Sequence, residues 1–218
     1  VTSSDAVSIV NVNATASSNP TSLYSDGTNL WFAAAATGTL AKLQRFNGTT
    51  TEIDGRSVVH GSRELTAGTF ATDDVLYYVA PSASEFSVTK TDGTPANSHD
   101  IKSFSEQPCG LTFLDDAIYF VASSTQGEEL WVSDGDHTAP AGTKRITDIN
   151  TSGDSVPANM TLLGNDVLFT ATDGSSFGVY RTSPATNYNI SKIDDYSGTA
   201  SEFTVADGVL FFRLTSSR

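Results

Sequence analysis

Leu114-Asp115-Asp116-Ala117-Ile118-Tyr119-Phe120 ends one short strand, turns on two acids and leaves as an aliphatic–aromatic strand. Four further copies follow the same plan. They are Ser25-Asp26-Gly27-Thr28-Asn29-Leu30-Trp31-Phe32, Thr72-Asp73-Asp74-Val75-Leu76-Tyr77-Tyr78, Gly164-Asn165-Asp166-Val167-Leu168-Phe169 and Ala206-Asp207-Gly208-Val209-Leu210-Phe211-Phe212. The anchors Leu30, Leu76, Ile118, Leu168 and Leu210 stand 46, 42, 50 and 42 residues apart. A period in the forties with about four strands per unit is the signature of a β-propeller.

Between the anchors, each unit holds two further strands joined by a turn. The first has Leu40–Phe46, Asn47-Gly48 and Thr49–Ile53; the second has Phe86–Thr91, Asp92-Gly93 and His99–Phe104. The third has Glu129–Ser133, Asp134-Gly135 and Lys144–Ile149; the fourth has Gly178–Thr182 and Tyr188–Ile193. Asn-Gly and Asp-Gly supply the positive φ angles of tight hairpins. The fifth unit has only Glu202–Val205 and Val209–Thr215, while Val1–Asp5 aligns with the end of a third strand at Trp131–Asp134 and Val7–Val12 alternates like a half-buried outer strand. The expected fold is therefore all-β, one propeller of five four-stranded blades over residues 1–218. Its blades span residues 20–54, 65–104, 108–149, 157–193, and 201–218 plus 1–12, the last closed by strands from both ends so that no edge stays open. A longer array continuing into further blades is the alternative.

Composition narrows the function classes. Of 218 residues, 38% are hydrophobic, enough for a core at this length, and 17% are charged. Serine and threonine, 28 and 29 residues, stand in for charge, as suits strands and turns. A formal net charge of −13 disfavours nucleic acid and anionic lipid as partners. Cys109 is the single cysteine, so neither an internal disulfide nor a thiolate zinc cluster is expected. No apolar run reaches membrane-spanning length. Starting at Val1 without a signal-like segment, the chain reads as a processed mature chain or a piece of a longer one.

One stretch carries a family pattern: Gly127-Glu128-Glu129-Leu130-Trp131-Val132-Ser133-Asp134-Gly135, then Gly142-Thr143, Ile146-Thr147-Asp148-Ile149, Pro157, Leu162 and Val167–Gly174. It resembles the bacterial ELWxxDGT repeat, also called hyalin-like, over roughly Gln126–Gly178. Elsewhere the match decays: Ser87–Thr94 keeps Asp-Gly-Thr without Glu-Leu-Trp. The resemblance implies a propeller in secreted or surface-attached proteins. It brings no catalytic residues with it.

Candidate chemistry is sparse. Asp26, Asp73, Asp74, Asp115, Asp116, Asp166 and Asp207 are expected around one channel mouth, where carboxylates suit Ca²⁺, although aspartate is also an ordinary turn former. Gly174-Ser175-Ser176-Phe177-Gly178 matches a nucleophile elbow as a string but lies between strands. His60, His99 and His137 show no zinc spacing and read as solvated loop residues. The channel-lining segments Thr66–Thr72, Leu111–Leu114 and Thr161–Gly164 hold no acids in their bodies, against a glycosidase pair. Trp31, Tyr77, Tyr119, Phe169 and Phe211 recur once per blade and read as packing between blades, whereas Tyr78, Tyr188 and Tyr196 are the candidates for sugar stacking. Asn13, Asn47, Asn150, Asn159 and Asn189 are N-glycosylation sequons, with Asn13 and Asn150 favoured as following fourth strands.

The sequence thus leads us to expect a non-enzymatic secreted or cell-surface module, with no catalytic or metal residues and no cofactor beyond Ca²⁺ at the acidic turns. A structural or adhesive subunit of an extracellular assembly is the first reading, its partners other protein subunits or an extracellular polymer. A lectin-like glycan binder is the alternative, and a glycoside hydrolase the third.

Overall fold

In the computed structural model, residues 11–35, 41–58, 65–70, 73–114, 116–138, 142–146, 148–196 and 198–215 are described. They form eighteen strands. Four sheets have four antiparallel strands each, and every sheet uses strands consecutive in the chain. Blade 1 is β1 (Thr21–Ser25), β2 (Leu30–Ala34), β3 (Lys42–Phe46) and β4 (Thr50–Ser57). Blade 2 is β5 (Leu65–Phe70), β6 (Asp73–Pro81), β7 (Phe86–Thr91) and β8 (His99–Phe104). Blade 3 is β9 (Cys109–Leu114), β10 (Ala117–Ser124), β11 (Gly127–Ser133) and β12 (Thr143–Arg145). Blade 4 is β13 (Ala158–Leu163), β14 (Asp166–Thr172), β15 (Phe177–Thr182) and β16 (Ser191–Tyr196). The fifth sheet has two strands, β17 (Thr199–Ala206) and β18 (Val209–Thr215).

First strands neighbour one another in the order β1, β5, β9, β13, β17, as the inner strands of successive blades do. In blades 1, 3, 4 and 5 that strand opens on a residue with left-handed backbone: Ser22, Gly110, Asn159 or Glu202, at φ between 54° and 66°. Each marks a bulge, seen as a register shift against the second strand. The extra residue bends the strand at that point. Blade 2 pairs without such a shift.

The second strands of blades 1–4 are buried on both faces; Ala117–Ala122 is continuously inaccessible. The core therefore lies between blades. One cluster joins Trp31, Leu43 and Ile53 of blade 1 to Leu76 and Tyr78 of blade 2. A second joins Tyr77, Val88 and Phe104 to Ile118 and Phe120, and a third joins Tyr119, Leu130 and Val132 to Val167, Phe169 and Tyr180.

Several strands run a few residues beyond the sequence reading, as β4 does to Ser57 and β17 from Thr199, while two outer strands are cut short. β12 stops at Arg145 instead of reaching Ile149, because the chain is drawn into a linker held by Glu129. The backbone N–H of Ile149 and the hydroxyl of Ser155 both donate to that buried carboxylate, at 3.4 and 2.5 Å. Burial, only partly offset by these hydrogen bonds, raises the Glu129 pKa. β16 begins at Ser191, not Tyr188, because Pro184–Thr186 forms a 3-10 turn and Asn187 and Tyr188 follow at positive φ. The expected pairing of Val7–Val12 with the fifth sheet falls mostly outside the described residues.

Candidate functional site

Cross-strand register builds one recurring feature at the seams. On the face toward the next blade, Trp31 aligns with Arg45, and Tyr77 aligns with Lys90 and then His99. The Arg45 guanidinium stands 5.8 Å from the centre of the Trp31 ring. Onto this row the following blade sets the glycine of its Asp-Gly turn. A β-carbon on Gly93 would lie 2.7 Å from the Trp31 ring, and one on Gly135 would lie 2.6 Å from the Tyr77 hydroxyl. Glycine is therefore required twice over, since both also have positive φ, 90° and 74°. In blade 4 the turn is replaced by Tyr188, which meets Tyr119 edge-on at 6.1 Å with the Lys144 ammonium 4.8 Å from its ring centre.

The turns are self-contained. In Ser25-Asp26-Gly27, Thr91-Asp92-Gly93, Ser133-Asp134-Gly135 and Thr172-Asp173-Gly174, the hydroxyl accepts the glycine N–H. The aspartate accepts the N–H two residues on. Asp26 also accepts the Trp31 indole N–H at 2.7 Å. Burial opposes ionisation there, yet the hydrogen bonds from Trp31, Asn29 and Thr28 bring its pKa down to about 2. These carboxylates are thus committed to folding their own loops. Among the described residues no three His, Cys, Asp or Glu side chains come together as a metal site. Asp166 faces Arg181 at 3.6 Å; Asp115 and the side chains of Asp73 and Asp74 lie outside the described residues.

The seam between blades 2 and 3 opens into a cleft of about 260 Å³ lined by Val75, Lys90, Asp92, Asn97, His99, Gly135 and His137. His99 comes from the start of β8 and His137 from the loop after β11. Their rings stack with centres 3.8 Å apart and planes 6° from parallel. His137 is exposed in its loop, as expected of a solvated histidine, but His99 is half-buried and neighbouring blades bring the two together. His60 lies outside the described residues. The Asp92 carboxylate is occupied by the N–H and hydroxyl of Thr94 and the Asn97 amide, at 2.6–2.9 Å. Below Gly135, the fully buried Tyr77 hydroxyl has no partner among the described residues. Burial first, then the Asp134 and Asp116 carboxylates, hold that phenol well above the usual tyrosine range, so it is a neutral donor.

The remaining sequence candidates disperse. Ser176 donates to Asp195 at 2.7 Å in the hairpin between β14 and β15, with strands on both sides. Asn13 is buried and its amide donates to the Ala35 carbonyl at 3.1 Å. The Asn150 amide donates to the Asp154 carbonyl, and the Asn159 amide to the Ala200 carbonyl of the fifth sheet. Asn47 and Asn189 are the exposed sequons. Trp131 packs backward onto blade 2, edge-on to Phe104 at 5.2 Å, and its indole donates to the Ala122 carbonyl. Tyr78 is buried in the core, and Tyr188 and Tyr196 are partly buried. The histidine pair escaped the sequence reading because its members lie 38 positions apart in different repeats; aligning the repeats by their Asp-Gly turns would have set both on one seam.

No family model matches the chain, and no curated protein matches it. Solved structures do. A TolB from Acinetobacter baumannii is 14% identical, aligned over 88% of this chain and 49% of its own, with a TM-score of 0.50. An oligogalacturonate lyase in complex with manganese is 10% identical over 84% of this chain and 54% of its own, with a TM-score of 0.52. A Mycobacterium tuberculosis puromycin-hydrolyzing peptidase is 11% identical over 80% of this chain and 31% of its own, with a TM-score of 0.52. The chain spans about half the length of the first two. At such identity the likeness shows fold alone: an all-β arrangement of propeller type. The expected secreted or surface structural and adhesive module is corrected, because these similar structures are named as a TolB, a lyase and a peptidase, not as adhesive or surface assemblies.

Proposed function

We propose that this chain is the body of a five-bladed propeller that binds rather than converts its ligand. The ligand is a small acidic molecule, bearing a carboxylate or phosphate, held in the cleft between blades 2 and 3. The observation that carries this reading is the convergence of Lys90, His99 and His137 from two blades on one opening. All three present nitrogen donors, and the one carboxylate lining the cleft already has three donors of its own. Charge-assisted hydrogen bonds to an anion are about twice as strong as neutral ones. Among the described lining residues the carboxylate beside the histidines, Asp92, is held by donors of its own turn, which favours binding over chemistry. The count of five blades is supported by the sequence of inner strands and by the repeated seam.

Imidazole signals followed by NMR during titration with inorganic phosphate and with citrate test the site. Saturable shifts at both His99 and His137 are expected, weakened about tenfold or more by Lys90→Ala. Shifts that stay linear through the millimolar range at low salt overturn the reading.

A further inference from the structure

The cleft between blades 2 and 3 carries charge of both signs. Lys90, His99 and His137 bring nitrogen donors to it, and the half-buried Asp92 lines it beside them. The commitment of Asp92 to its own loop runs mainly through one oxygen. Oδ1 accepts the N–H and the hydroxyl of Thr94, at 2.9 and 2.6 Å. Oδ2 accepts the Asn97 amide at 2.6 Å. A carboxylate has about four acceptor sites, so these three donors leave one open. All three are neutral groups, and the negative charge itself is not cancelled by them. Burial opposes ionisation, yet the hydrogen bonds from Thr94 and Asn97 hold the pKa below the ordinary aspartate value, so the group is ionised at neutral pH.

The same turn elsewhere in the chain shows what the second oxygen takes. In Thr172-Asp173-Gly174, Oδ1 closes the loop by accepting the N–H groups of Ser175 and Ser176, both at 2.9 Å. Oδ2 of that residue accepts the Lys192 ammonium at 2.8 Å. In Ser25-Asp26-Gly27, Oδ1 again serves the loop, and Oδ2 accepts the Asn29 amide and the Trp31 indole N–H. One oxygen folds the turn and the other meets a donor beyond it.

We propose that the ligand of this cleft is a small zwitterion: a phosphate or carboxylate held by Lys90, His99 and His137, joined by a short chain to an ammonium group that donates to Asp92 Oδ2. The inference rests on the anion-binding reading above and narrows it. A purely anionic ligand meets the Asp92 charge as repulsion, whereas an ammonium on the same molecule turns that charge into a charge-assisted hydrogen bond. The cleft volume of about 260 Å³ lies below the range of about 300–1,000 Å³ common for ligand pockets, so few bonds separate the two ends.

Two matched pairs of probes test this. Phosphoethanolamine is compared with propyl phosphate, and β-alanine with butyrate; in each pair a methyl group replaces the ammonium. They are titrated into the full chain at neutral pH and about 0.15 M salt, where charges beyond about 8 Å are screened. The imidazole signals of His99 and His137 are followed by NMR. In the tighter-binding pair, the ammonium member should saturate both signals with an affinity about fivefold or more above its partner. Asp92→Asn keeps an oxygen to accept from Thr94 and should bring that ratio close to one. Lys90→Ala should weaken both members and leave the ratio standing. Equal affinities in the parent protein overturn the zwitterion while leaving the anion cleft in place, and this comparison needs no variant to fold. A preference undiminished in Asp92→Asn overturns the part given to Asp92. If no probe saturates through the millimolar range, the anion cleft itself fails, and this inference with it.

Discussion

Phe211 and Tyr119 hold the same place in their repeats, one residue after the aliphatic anchor, yet Tyr119 is fully buried and Phe211 is 57% exposed. Tyr77 and Phe169 are also 0% exposed and Trp31 6%, so the fifth copy is the exception. The turn glycines draw the same contrast from the other side. Gly93 and Gly135 press on the preceding blade, whereas a β-carbon on Gly48 would meet nothing within 4 Å. Burial of the repeat aromatic thus goes with a four-stranded sheet of its own and a neighbouring blade packed on it, both of which Tyr119 has. The motif makes half a seam, and the successor makes the other half.

The sharpest way to break this comparison is truncation on both sides of it. Tyr119→Ala should cost about 3–5 kcal/mol, as for a large buried aromatic, and Phe211→Ala no more than about 0.5 kcal/mol. Urea unfolding of the two variants checks this; equal losses would mean that Phe211 is packed in solution. A smaller effect is expected at the glycines. Gly135→Ala drives a methyl into the Tyr77 hydroxyl as well as straining the backbone and should cost about 1–3 kcal/mol, more than Gly48→Ala, which meets only the strain of its positive φ. Thermal melts of the pair measure the difference.

The smallest effect concerns Asp26, whose folded pKa of about 2 lies below the ordinary aspartate value of about 3.9. A depressed carboxyl stabilises the fold above its unfolded pKa and loses that contribution as pH falls through the folded one. Asp26→Asn should therefore be less stable than the parent near neutral pH, and the two curves should converge below pH 2. A gap that persists at the acid end would show that the carboxylate's charge is not what matters there.

The blades were legible because their signals are local. An aliphatic–aromatic pair after an acidic turn, and Asp-Gly or Asn-Gly between outer strands, identify hairpins without reference to distant residues. Strand limits were lost where tertiary contacts intervene, as when Glu129 draws Ile149 and Ser155 into the linker and shortens β12. The candidate cleft was not legible, because His99 and His137 become neighbours only when blade 3 docks on blade 2. The acids promised more than they deliver for the converse reason: Asp26, Asp92 and Asp173 satisfy donors within their own turns.

Every described sheet is assembled from strands that follow one another in the chain. A nascent polypeptide can therefore finish one leaflet for each forty-odd residues that emerge, with only short loops to close. Each finished leaflet waits with one greasy flank wet until the next arrives, so during synthesis the hazard of clumping always sits at the most recently made edge.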